Sequence, residues 1–106
     1  MTDYSKLSDR EIDRLVLNII YGVHADDKDI QGCWSRGGFK YTSDASDAWQ
    51  IIVDNGISLE CIIVNRHEKT WRAQFKPAYV KHHTNHKNPL RAAMIVFLQM
   101  QENNHD

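Results

Sequence analysis

The sequence predicts an α+β domain: a small antiparallel sheet of two to three strands packed against three helices, in the order α-β-α-β-β-α. Three observations predict it. Apolar residues recur at helical spacing after Glu11 and fill most of the stretch that follows Pro89. Residues 70–75 alternate apolar and polar with period two, the mark of a strand with one wet face. Glycine-containing pairs, Gly37-Gly38 and Asn55-Gly56, punctuate the chain between such stretches. At 106 residues, 42% apolar and 25% charged, the chain fits one globular domain spanning 1–106 that buries a core without cross-links.

The first helix is announced by Ser8 and Glu11, an S-x-x-E capping box. Ile12, Leu15, Val16, Ile19, Ile20 and Val23 then form its expected buried stripe, and Gly22 with the polar residues 24–29 ends it. Asp26, Asp27 and Asp29 lack the glycine and terminal glutamate of a calcium loop, so a solvated turn is expected there. Gly32, Gly37 and Gly38 predict a loop or bent hairpin over 30–41, with a third short strand inside 34–41. Ser46 is the expected cap of a second helix over 47–54, with Ala48, Trp49, Ile52 and Val53 on its buried side.

Residues 57–64 read as a strand buried on both faces towards its end, because Ile57, Leu59, Cys61, Ile62, Ile63 and Val64 are nearly continuous. With 70–75 it should form an antiparallel hairpin, and Pro77 should end the second strand or mark an edge. Asn88 and Pro89 are suited to the N-cap and first positions of a third helix over 90–102, apolar around most of its circumference and therefore central.

Cys33 and Cys61 belong to no CxxC pair, and residues 1–9 hold no apolar secretory stretch, so both are expected as free thiols in a cytosolic chain. No apolar run reaches the roughly 20 residues needed to cross a bilayer. The net charge of −1 hides an asymmetry. Over 66–91 the sole acid is Glu68, against Arg66, Lys69, Arg72, Lys76, Lys81, Lys87 and Arg91, with His67, His82, His83 and His86 among them. Such a segment attracts anions, or is simply a solvated face.

Three stretches carry a family resemblance: Tyr4-Ser5-x-Leu7-Ser8-Asp9-x-Glu11-Ile12, then Asp47-Ala48-Trp49-x-Ile51-Ile52 with Ile57-Ser58-Leu59, and Asn88-Pro89-Leu90-Arg91-Ala92-Ala93-Met94-Ile95-Val96-Phe97-Leu98. Together they resemble the NinX-like family of tailed-phage proteins, and the chain is also similar to the broader phage α/β/α-sandwich domains. The resemblance implies a phage or prophage accessory protein acting in the host cytoplasm. It supplies no catalytic residues, and segments 30–41 and 76–86 stand outside it.

The residues favour binding over catalysis. Trp34 and Arg36 suit a turn that stacks on a flat ligand, and Trp71 beside Arg72 lies in a half-wet strand. Lys81, His82, His86, Lys87 and Arg91 form a candidate phosphate cluster beside the N-terminus of the last helix. His82-His83-x-x-His86 lacks the H-E-x-x-H pattern of a zinc protease, so no metal or other cofactor is expected. Cys61 reads as an inert core thiol and Cys33 as the more reactive one, but neither has a placed base. A non-enzymatic protein is expected, one that binds a host protein or sequesters a small anionic, nucleotide-like signal, in keeping with a counter-defence role. Nucleic-acid binding through the basic 66–91 face is the alternative, a histidine-dependent metal hydrolase a third, and a homo-oligomer is compatible with each.

Overall fold

The computed structural model describes residues 3–76 and 82–103. Four helices, α1 (Asp9–Tyr21), α2 (Lys28–Ser35), α3 (Ala45–Asp54) and α4 (Pro89–Asn103), accompany three strands, β1 (Ser58–Asn65), β2 (Glu68–Phe75) and β3 (His82–His86). The sheet is antiparallel throughout, in the order β1-β2-β3. The architecture is α+β, with one helix more than the sequence predicts.

Helix α4 organises the core. Ala92, Ala93, Met94, Ile95, Val96, Phe97, Leu98 and Met100 are all buried, so the helix is enclosed around its circumference. It packs on β2 and β3 and also contacts α1 and α3. Asn88 caps it as expected: its Oδ1 accepts from Leu90 N at 2.9 Å and Arg91 N at 3.4 Å.

The capping box of α1 forms in full, with Glu11 N donating to Ser8 Oγ and Ser8 N donating to Glu11 Oε1. The buried face of α1 is rotated from the expected stripe. Ile12, Asp13, Val16 and Leu17 point inward, whereas Ile19 and Ile20 are exposed and Val23 lies beyond the helix in a 3-10 turn. Helix α3 starts earlier than expected, because Asp44 rather than Ser46 is the cap and accepts from Ser46 N at 2.9 Å. It buries Ala48, Ile51 and Ile52, and leaves Trp49 60% and Val53 53% exposed.

The glycine-rich stretch is not a strand. It is helix α2 with a Schellman stop. Gly37 takes φ +86°, its N–H bonds the Trp34 carbonyl at 3.0 Å, and Gly38 N–H bonds the Cys33 carbonyl at 2.9 Å. The third strand is instead the polar segment His82–His86, which pairs with β2 through Thr84 opposite Ala73. Strand β2 ends at Phe75, and Pro77 lies outside the described residues.

Candidate functional site

The site grows from a mismatch of lengths. On the sheet face that meets α4, Leu59, Ala73 and Thr84 lie in one cross-strand row, with Ala73 in the core and the partly buried Leu59 packed against it. Two residues further along each strand, the same face carries the row Cys61–Trp71–His86. Trp71 is half-buried and is not packed on the core cluster, and Cys61 and His86 are exposed. Another step on, Ile63 pairs with Lys69. Beyond Ala73, therefore, the β1–β2 hairpin runs past the cover of α4 and ends in the turn where His67 N donates to Asn65 Oδ1 at 2.9 Å.

This overhang exposes Ile63 by 69% and Val64 by 57%. A bulge between Ile63 and Asn65 leaves Val64 without a ladder partner. Arg66, His67 and Lys69 flank the apolar pair, all exposed, and no hydrogen bond or ion pair engages their side chains among the described residues. Among the described residues strand β1 is also a sheet edge, with unpaired backbone groups along one side. Continuous burial of β1 is thus not found, and Cys61 is an exposed thiol rather than a core one. Both cysteines are free, as expected.

The predicted site residues are distributed over several surfaces. Trp34 closes the outside of α1, with the Arg10 guanidinium 3.4 Å from its ring centroid and Arg14 at 5.3 Å. Arg10 also donates to the carbonyls of Trp34, Gly38 and Phe39, so this stack is an architectural clamp. Arg36 lies back along α2 over Gly32. Arg72 is on the sheet face opposite Trp71, bridging Glu60 at 3.6 Å and Asn85 at 3.4 Å.

Arg91 is the clearest departure. It is buried and donates to Asp9 at 2.6 Å and to the Ser5 and Leu7 carbonyls at 3.2 and 2.7 Å, which pins the N-terminal segment to α4. Both terminal nitrogens of its guanidinium bond inward, the buried Nε alone has no partner among the described residues, and Asn88 already caps the helix start, so the phosphate cluster expected there does not assemble around Arg91. His82 and His86 sit four residues apart on a strand, roughly 13 Å, too far to share a metal ion. No metal-binding group of three or more His, Cys, Asp or Glu occurs among the described residues. Lys81 lies outside the described residues, and Lys87 is exposed between β3 and α4. Neither of two open pockets of about 330–340 Å³ is lined by any predicted site residue.

The family model described as bacteriophage P22 NinX matches residues 3–101, including the two segments that the sequence resemblance leaves out. The chain belongs to the NinX family. No curated protein and no solved structure is significantly similar to it. It is therefore a phage accessory protein, and no helix among its described residues is long and apolar enough to cross a membrane.

In this NinX-family chain the leftover chemistry gathers on the hairpin overhang: Trp71 and His86 from the predicted set, joined by Cys61, Ile63, Val64, Arg66 and Lys69. Sequence reasoning missed the apolar members because an apolar strand run normally signals burial. The available clue was the neighbouring strand: β1 carries four apolar residues over 61–64 opposite Trp71, Thr70 and Lys69, a partner too polar to be buried on both faces.

Proposed function

We propose that this chain is a non-enzymatic phage accessory protein that modulates a host process, with counter-defence the leading role, by docking its hairpin overhang on an acidic surface of a host protein in the cytoplasm. The observation that carries the reading is the exposure of Ile63 and Val64 beside Arg66 and Lys69, cations with no internal partner among the described residues. An apolar centre rimmed by charge excludes water at its middle and gains orientation and association rate at its edge. The open edge of β1 adds main-chain donors and acceptors to the same surface.

Sequestration of a small nucleotide-like anion is supported less well. That reading needs a recess with cations aimed into it, whereas Arg91 bonds inward, Arg72 is paired with Glu60, and Trp34 is covered by Arg10. Nucleic-acid binding draws on the same cations as protein docking and differs in needing no apolar centre.

The test is photo-crosslinking in host lysate from a probe placed at Lys69, comparing the native hairpin with Ile63→Asn/Val64→Asn. One host protein captured by the native hairpin, lost in the double variant, and weakened as salt rises and shortens the ~10 Å Debye length, is the expected result. Capture that the double variant leaves unchanged refutes docking through the overhang. Retardation of duplex or single strands in a gel, with no protein captured, would transfer the function to nucleic acid.

A further inference from the structure

A second surface carries the opposite charge. Between the C-terminal end of α1, segment 39–41 and α3 opens a pocket of about 330 Å³. Its floor is aromatic and aliphatic: Tyr21, Phe39, Tyr41, Ile20 and Ile51. Phe39 meets Tyr21 edge-on at 5.4 Å and stacks with Tyr41 at 6.2 Å. Phe39 holds this position at φ +60°, a left-handed backbone that a bulky residue rarely adopts.

One wall is α3, and Asp47 and Asp54 both line the pocket from it. Seven residues apart, they lie on one face of the helix, separated by roughly 10 Å along the axis. Neither takes part in an ion pair among the described residues. Asp47 Oδ2 accepts from Lys40 N at 3.0 Å and Asp54 Oδ1 accepts from Gln50 Nε2 at 2.6 Å, which leaves Asp47 Oδ1 and Asp54 Oδ2 without a bond among the described residues. Asp54 also ends α3, where the helix dipole is itself negative and an uncompensated carboxylate is unfavourable. Burial first, and then neighbours that include Asp47 and Asp13, hold the Tyr41 phenol well above its ordinary value, so it lines the pocket as a neutral ring. Among the described residues no lysine, arginine or histidine lines it.

We infer that this pocket is a binding site for a linear aliphatic polyamine, its two ammonium ends on Asp47 and Asp54 and its methylene chain across Tyr21, Phe39 and Tyr41. The spacing of the carboxylates excludes a single shared metal ion and matches an extended chain with a cation at each end. Aromatic rings favour both parts of such a ligand, through the methylenes and through cation–π attraction. Lysine side chains of a peptide carry the same chemistry and are the other source the experiment separates.

The test is calorimetry on the full chain with spermidine, whose extended form places its terminal nitrogens at a comparable distance. One-to-one binding is expected, together with none for a neutral diol of similar length. Each Asp→Asn change should weaken it about threefold to fivefold, and Asp47→Asn/Asp54→Asn about tenfold or more. Asparagine keeps the acceptors for Lys40 N and Gln50, and circular dichroism checks the fold. Asp54→Asn, at an exposed position, serves alone if the double variant unfolds. A lysine-bearing peptide that binds more tightly than spermidine through the same two aspartates would assign the ligand to a protein chain. Absence of binding at millimolar spermidine, or equal binding by the native and carboxamide forms, overturns the inference. Ile63→Asn/Val64→Asn should leave spermidine binding intact, so this result and that of the hairpin stand apart.

Discussion

The helical half and the hairpin overhang use the same residue types in opposite ways. In the helical half, cations are consumed by the architecture. Arg10 spans three carbonyls and the Trp34 ring, Arg14 reaches Gln31 and Asp26, and Arg91 is buried on Asp9 and two carbonyls. On the overhang, Arg66 and Lys69 have no such partner among the described residues, and isoleucine and valine lie open to water. A residue type therefore says little about role here. The role follows from whether the surroundings have already satisfied it.

The contrast is broken or sharpened by matched substitutions. The largest expected difference is between two isoleucines. Ile12→Ala, at a fully buried site, should cost about 2–5 kcal/mol of stability in urea denaturation. Ile63→Ala, at a site 69% exposed, should stay within about 0.5 kcal/mol. Equal losses would show that the overhang is part of the folding core.

Two arginines come next. Arg91→Ala removes the bonds that hold the Ser5 and Leu7 carbonyls and should cost about 2–4 kcal/mol, with Arg66→Ala near zero by the same measurement. Gly38→Ala probes the tightness of the helical half. A Cβ there would run into the Cys33 sulfur and carbonyl, and about 1–3 kcal/mol should be lost in thermal or urea unfolding.

The smallest effect is a pH dependence. Burial first raises the pKa of Asp13, opposed by the Thr42 N–H bond at 2.9 Å and by Arg10. The folded chain thus keeps this proton to higher pH than the unfolded chain does. Across the window that opens at 3.8 and closes at the raised value, Asp13 makes the native protein less stable as pH rises. Asp13→Asn removes that loss, so the stability of the variant relative to the native protein should grow through this window and level off above it. A flat difference in urea midpoints from pH 4 to neutrality would show that Thr42 and Arg10 compensate the burial fully.

Several elements were legible because their causes are local. The Ser8–Glu11 box, the Asn88-Pro89 start and the Thr70–Phe75 alternation each act within a few residues, and each appears where expected. Helix α2 had local signals too, with Asp27 and Asp29 at its start and Gly37-Gly38 at its end, but the glycines suggest a loop unless they are taken as a helix stop. Strand β3 had none. His82–His86 holds no apolar alternation and becomes a strand because the free edge of β2 pairs with it. Of the candidate site, Trp71 and its basic setting could be found in advance. The open faces of Ile63 and Val64 could not, because their exposure is decided by where α4 and its neighbours stop.

The amino-acid order alone settled the α+β class, the central apolar helix, the antiparallel hairpin and the family resemblance, since each depends on periodicity, capping residues or short motifs. Only the tertiary structure decided that Arg91 is an internal staple, that β1 is half uncovered, and that Asp47 and Asp54 face an aromatic recess together. Those facts depend on which distant groups meet and which partners run out, and no short stretch of sequence encodes the length of the element packed against it.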